Sequence, residues 1–286
     1  MKSLIATTPR AIRHYLPEHI AAPMNPLEIV LIGAGGNGSQ VLTDMGRMNH
    51  ALKALGHPGI DVSVFDPDAV SPANVGRQLF SPADIGRNKA EVLVTRLNRF
   101  FGLKWRAYPV KVGTTLNTQA HIIITAVDSA AARIDIGSSL KIHSYYQKYW
   151  IDLGNTVKTA QVLIGTLGNG GRQPAGSEAV AILPTVLDLY PEIEAEDKKS
   201  YQGPSCSVAD ALERQDLFIN KWVAAAAIQL LWTALRSGYM KEHGAFINLN
   251  TFSVRPLPVS PVVWEQMGWP PKKKRRAQKN KKKGEK

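Results

Sequence analysis

Apolar positions along the chain fall into short β-branched runs separated by longer stretches with helical spacing. Leu27-Glu28-Ile29-Val30-Leu31-Ile32 is a near-continuous apolar run that ends at a glycine cluster, the pattern of a parallel strand entering a tight turn. Residues 39–55 read as the helix that follows, closed by Gly56-His57-Pro58-Gly59. A second strand is predicted over 60–65 and a helix over 84–101, with Val92, Leu93, Leu97 and Phe100-Phe101 on its apolar face. A third, short strand is expected at 107–112. The clearest strand, His121 to Val127, stops at Asp128 and leads into a helix over 129–140. Further strands are expected at 147–153 and 159–164, with Gly154-Asn155 between them. Strands alternating with helices predict an α/β fold with a doubly wound, Rossmann-like, mostly parallel sheet.

The flanks differ from this core. Residues 1–26 carry four prolines together with Arg10, Arg13 and His14, and read as an N-terminal arm. Gly168-Asn169-Gly170-Gly171 opens an irregular stretch to about residue 204 that includes Asp188, Glu192, Glu194, Glu196 and Asp197; this is a predicted crossover loop. One long C-terminal helix is expected over 207–237, with Ser207 and Asp210 as its capping pair and Gly238 as its stop. A last strand or hairpin is expected over 245–256. No internal repeat is present.

Composition adjusts the picture in two places. The 286 residues are 44% hydrophobic, enough for a full core, and the formal net charge is +12. Residues 272–286 hold eight Lys, two Arg and one Glu, a net of +9, which leaves +3 for the rest. The basic character therefore belongs to a predicted disordered tail at 271–286, suited to non-specific contact with nucleic acid or another polyanion. It has no aromatic residue for base stacking. Cys206 is the only cysteine, so no intrachain disulfide framework and no structural zinc are expected. The apolar run after Lys2 is too short for a secretory signal, and the run at 222–235 is too short to span a bilayer, so a cytoplasmic protein without membrane contact is expected.

The chemistry begins at Gly33-Ala34-Gly35-Gly36-Asn37-Gly38-Ser39. Gly33, Gly35 and Gly38 have the spacing of a turn that brings backbone N–H groups and a helix N-terminus to a nucleotide phosphate, and Gly36 lies inside it. Asp66, at the end of the second strand, stands where a ribose-binding acid belongs, 28 residues past Gly38 rather than the usual ~20. Asp68, Asn74, Arg77, Gln78 and Lys89 follow. An Arg and a Lys beside a triphosphate suit transfer at phosphorus, where charge builds on the α-phosphate and on departing pyrophosphate. Asp128, at the C-terminal end of a central strand, is placed to hold Mg²⁺ together with phosphate oxygens. Cys206, just before a predicted helix, is a candidate acyl carrier, since a helix N-terminus favours the thiolate. Two rivals remain: an NAD(P)-dependent Rossmann oxidoreductase, for which no His or Tyr relay is placed by motif, and a non-catalytic nucleotide-binding adaptor that docks on nucleic acid through its tail.

The glycine turn, Phe65-Asp66-Pro67-Asp68, Val70-Ser71, Asn74-Val75-Gly76-Arg77-Gln78 and Gly86-Arg87-Asn88-Lys89 together resemble the adenylation core of the ThiF/MoeB/ubiquitin-activating family. Within it the chain is most similar to the ThiF-type members of the PRTRC gene sets carried on bacterial mobile elements. The resemblance covers roughly residues 27–255 and makes 27–270 an ATP-binding adenylation domain. It implies ATP and Mg²⁺ as cofactors and adenylation of the C-terminal carboxylate of a ubiquitin-like, β-grasp protein. It further implies a homodimer and onward transfer involving Cys206 and a conjugating-enzyme-like protein. By the same resemblance Asp66 binds ribose, Asn74, Arg77, Gln78 and Lys89 contact phosphates, Asp128 binds Mg²⁺ or orients the triphosphate, and Arg10 or Arg13 reaches a partner subunit's site. The zinc-binding Cys-x-x-Cys pairs common in the family are missing.

Overall fold

A computed structural model describes residues 12–112, 119–142, 148–175, 178–193 and 215–269. The expected acyl carrier Cys206, Arg10, the capping pair Ser207/Asp210, the acids Glu194, Glu196 and Asp197, and the basic tail lie outside the described residues.

Eight strands form one sheet. The parallel part contains β2 (Leu27–Ile32), β3 (Ile60–Phe65), β4 (Arg106–Tyr108), β5 (Ile122–Thr125) and β6 (Lys148–Asn155). Three antiparallel strands extend it: β7 (Thr159–Leu167), β9 (Glu242–Asn248) and β10 (Ser253–Pro258). Their spatial order is β10-β9-β7-β6-β5-β2-β3-β4. The chain therefore starts at β2, winds outward to β4, then returns to β5 on the other side of β2. This reversal is a topological switch point, and the crevice beyond the strand C-termini there is where such sheets bind ligands. The glycine turn leaves β2 and Asp128 follows β5, so both open onto that crevice.

Helices α2 (Gly36–Ala54) and α3 (Lys89–Phe101) connect the strands of one half, and α4 (Ala130–Ile142) connects β5 to β6. Right-handed crossovers running in opposite directions put α2 and α3 on one face and α4 on the other. A long helix, labelled α6 below (Ile219–Ser237), packs against α2, β6, β7 and β9. Before it, α5 (Val186–Leu189) is a single turn within the irregular stretch. Among the described residues no helix is long and apolar enough to cross a membrane.

Several boundaries differ from the sequence expectation for identifiable reasons. Helix α3 begins at Lys89 rather than at 84, because the Asn88 side chain accepts the Glu91 N–H at 3.1 Å and caps it there. Residues Pro82–Asp84 form a separate 3₁₀ turn. Gly102, at φ +66°, ends α3 in the left-handed conformation, and Gly238, at φ +73°, does the same for α6. Within the described residues α6 starts at Ile219, not at 207. Asp216 makes the turn before it, its carboxylate accepting the Phe218 N–H at 3.0 Å. Gly154 and Asn155 belong to β6 itself, and the turn lies at 156–158. The arm is pinned: β1 (His14–Tyr15) pairs with β8 (Tyr239–Met240), and Arg13 exchanges backbone bonds with Glu178 and Val180.

Two histidines anchor this packing, and both are inaccessible to solvent. His14 Nδ1–H donates to the Val180 carbonyl at 2.8 Å, so Nε2 accepts the Tyr149 hydroxyl at 2.7 Å. His243 Nδ1–H donates to the Ile164 carbonyl at 2.8 Å, and its Nε2 accepts the Trp264 indole N–H at 2.8 Å. Each ring is held as one neutral tautomer; on His243 a second proton would face the Trp264 indole N–H, which cannot accept it. Burial accordingly pushes both pKa values down to about 4. A depressed histidine pKa leaves stability intact above the unfolded value near 6.5, and stability is lost as pH falls toward 4. At 1.36 kcal/mol per unit this reaches about 3 kcal/mol for each ring by pH 4. Asp66, whose pKa burial raises, works in the opposite direction as it protonates. The loss should already be measurable by urea unfolding between about pH 6.5 and 5, before ordinary carboxylates titrate. Unfolding midpoints that stay flat across that window contradict the neutral, buried assignment.

Candidate functional site

The glycines divide into those that packing requires and one that it does not. Gly33 has φ +93°, and a Cβ there would sit 2.6 Å from the Ala126 carbonyl oxygen beyond β5. A Cβ on Gly38 would lie 1.9 Å from the Gly33 carbonyl oxygen, and one on Gly36 would lie 2.6 Å from the Asn220 amide. These three let the turn, α2, α6 and the β5 loop close on one another. Gly35 is different: a Cβ would find only the Gln78 amide, at 3.9 Å. The protein itself leaves that space open, as close approach of a ligand to the backbone would require.

Asp66 joins this turn to the polar segment after β3. It is only 4% exposed, and its carboxylate accepts the Ala34 N–H at 2.6 Å and the Asp68 N–H at 2.8 Å. Burial raises its pKa, and those two bonds partly oppose the rise. Asn88, which caps α3, also donates to the Asp66 and Asp68 carbonyls at 2.8 and 3.2 Å. Lys89 follows in the first turn of α3, its ammonium 2.9 Å from Asp68. The Asp68 side chain is 63% exposed and that of Lys89 only 11%, so a largely buried ammonium meets an acid that solvent can reach.

Asn74 shapes the intervening loop, accepting the Ser71 N–H at 2.9 Å, while its carbonyl takes the Gln78 N–H at 2.9 Å. Arg77 is half-buried and donates from Nη1 to Gln215 Oε1 at 2.5 Å. Burial lowers its pKa, and no carboxylate pairs with it among the described residues. Four buried side-chain atoms in the described structure lack a hydrogen-bond partner: Asn37 Oδ1, His57 Nε2, Arg77 Nε and Gln78 Oε1. Three of the four belong to the glycine turn or the loop beside it. Buried polar groups are nearly always satisfied, so this concentration points to a missing polar ligand.

On the β5 side, Asp128 is exposed two residues beyond Ala126. Its loop is held from below by a buried network. Arg133 Nη2–H donates to the Val127 and Leu153 carbonyls at 2.7 and 3.0 Å, and Nε–H to Asp152 at 3.0 Å. Asp152 in turn accepts the Thr125 hydroxyl at 2.6 Å.

The structure thus links Gly33, Gly35, Gly36, Gly38, Asp66, Asp68, Asn74, Arg77, Gln78 and Lys89 by contacts around the glycine turn, while Asp128 stands exposed at the same end of the sheet, two residues beyond the Ala126 that packs on Gly33. Arg13 instead stacks over the Tyr239 ring, 4.4 Å from its centroid. Sequence reasoning gave no role to Asn88, Arg133, Asn37 or Gln215. An Asn directly before a helix is a capping signal that was available. A mid-helix Arg such as Arg133 reads as an ordinary solvated charge until the sheet beneath it is known. No group of three or more His, Cys, Asp or Glu suited to holding a metal ion occurs among the described residues. The Asp128 carboxylate nevertheless fits Mg²⁺, which takes one or two protein carboxylates and completes its shell with phosphate oxygens and water.

Comparison with known proteins bears on the family and the fold. The model of the ThiF family matches residues 18–260. The chain is 25% identical over 236 residues to ubiquitin-activating enzyme E1 1 of Candida albicans, which covers 78% of this chain and 20% of that protein. It is 28% identical over 195 residues to the Nedd8-activating enzyme E1 catalytic subunit of Drosophila melanogaster, covering 64% of this chain and 38% of that one. The chain thus spans only a minor part of either relative's length. Among solved structures, E. coli MccB with ATP superimposes with a TM-score of 0.56 at 17% identity, over 85% of this chain and 67% of that one, a likeness of fold.

The glycine geometry makes a paired prediction. Gly38→Ala must displace backbone and should cost roughly 1–3 kcal/mol or more, lowering the melting temperature by several degrees. Gly35→Ala should melt within about 2 °C of the unaltered protein, since surface changes without a clash rarely exceed ~0.5 kcal/mol. Equal losses for the two, measured by calorimetry, contradict the distinction.

Proposed function

The chain belongs to the ThiF family, and from that premise we propose that it adenylates the terminal carboxylate of a ubiquitin-like or peptide substrate with ATP. The observation that carries the reading is Arg77: a half-buried cation beside the glycine turn, with no carboxylate partner among the described residues and with its Nε unbonded. An uncompensated buried charge is costly, and a phosphate group relieves that cost. The activating-enzyme relatives and the ATP recorded with MccB support ATP as that ligand.

In the reaction a substrate carboxylate oxygen attacks the α-phosphorus. The new O–P bond forms as the bond to the bridging oxygen of pyrophosphate breaks, and pyrophosphate leaves with that electron pair. The backbone around Gly35 admits the phosphates. Arg77 and Lys89 neutralise the charge that develops on the α-phosphate and the leaving group. Lys89 can exchange the exposed Asp68 carboxylate for phosphate, so its largely buried ammonium keeps an anionic partner throughout. Asp66 has two lone-pair directions left for ribose hydroxyls after its two backbone bonds. Asp128 would hold Mg²⁺, which when bound would add charge neutralisation on the phosphates.

The finer reading assigns the next step to Cys206, whose thiolate attacks the acyl carbonyl and releases AMP, leaving a thioester for a conjugating-enzyme-like protein. Family resemblance and the lone cysteine at this place in the chain support it. A Cys206→Ala variant should still adenylate but form no thiol-sensitive protein adduct. Onward transfer at the normal rate by that variant refutes the role.

The core assignment is tested by ATP–pyrophosphate exchange in the presence of candidate ubiquitin-like proteins. Arg77→Ala and Lys89→Ala should each reduce exchange at least about 100-fold, the scale of losing one charge-stabilising donor. Exchange that survives both changes sinks the site.

A further inference from the structure

We infer that Gln215 is a positioning residue for Arg77, through which the end of the crossover connection sets the phosphate-facing edge of the nucleotide site. The inference rests on the ATP reading above and adds a residue to it. A guanidinium can meet two oxygens of one phosphate at once through its Nε–H and Nη2–H edge. Gln215 Oε1 takes Nη1–H, the nitrogen outside that edge, at 2.5 Å. Nε is buried without a partner, and no described residue accepts a hydrogen bond from Nη2. The bond to Gln215 therefore fixes the plane of Arg77, and no described residue occupies its bidentate edge.

Gln215 is itself held from several sides. Its Oε1 also accepts the Asn220 Nδ2–H at 3.1 Å. Asn220 is almost wholly buried in the first turn of α6, and its amide fills the space where a side chain on Gly36 would stand. The next residue, Asp216, donates its backbone N–H to the Val157 carbonyl in the β6–β7 turn at 2.8 Å. The first described residue after 194–214 is thus tied to the Arg77 loop, and through Asn220 and Asp216 to the glycine turn and the antiparallel part of the sheet. Holding a long side chain in one orientation before the ligand arrives reduces the ordering cost of binding.

The test is calorimetric titration of ATP with Mg²⁺ into the intact protein. Gln215→Ala and Gln215→Met should each weaken ATP binding about tenfold. Met keeps the length of the side chain but lacks a strong acceptor, so it separates the hydrogen bond from packing. In an Arg77→Ala background, either change should have no further effect, because the two residues act as one unit. Wild-type affinity in Gln215→Met, or a full additional tenfold loss in the Arg77→Ala background, overturns the inference. An unaltered protein that melts cooperatively yet binds no ATP overturns the nucleotide reading itself and this inference with it. ATP binding indifferent to Arg77→Ala removes Arg77 from the site, and Gln215 with it.

Discussion

The site depends on a single buried carboxylate. Asp66 accepts one backbone N–H from the glycine turn after β2 and another from the loop after β3, and so fixes the two halves of the crevice against each other. Burial makes the ionised form expensive, as its raised pKa shows, yet the two backbone N–H groups have no other partner and need it. Asn88 reinforces the same joint from the α3 side and places Lys89 at the first turn of that helix. Without this joint, close packing of Gly33 on Ala126 would still form the turn, but Lys89 would lose its nearest tie to it, and the Asn74–Gln78 loop would lean on the Leu79 N–H bond to Ser39 Oγ and on the Arg77–Gln215–Asn220 chain.

The two cations of the crevice are held in different ways. Lys89 is paired, but with an acid that solvent can reach. Arg77 is partly desolvated, and among the described residues its one acceptor is the neutral amide of Gln215. A neutral amide orients a guanidinium without discharging it, whereas a carboxylate there would cancel the field that an incoming phosphate experiences. The unsatisfied Asn37, Arg77 and Gln78 atoms lie in the same region, so polar demand and positive potential coincide.

Much of this was legible in the sequence because the residues concerned are local. The apolar runs of β2, β3 and β5 are read by every neighbour in the sheet, and the polar string after Asp66 lies within about one helix of the glycine turn. The Asp216 turn before α6 and the cap at Asn88 each involve a single side-chain bond, which hydrophobic periodicity does not register. Arg133 and Gln215 were invisible for a different reason: their partners are 19 and 138 positions away, and only the folded sheet brings them together. His14 and His243 likewise looked scattered, and became a matched pair of neutral, buried rings only through contacts with Val180 and Ile164.

The glycine turn alone is compatible with either a triphosphate or a dinucleotide, and the surrounding side chains decide between them. The most direct measurement is equilibrium dialysis of the unaltered protein against labelled ATP and labelled NAD⁺ in parallel, with Mg²⁺ present. Retention of ATP, undiminished by excess NAD⁺, is the predicted result. Retention of NAD⁺ with no retention of ATP would contradict the account.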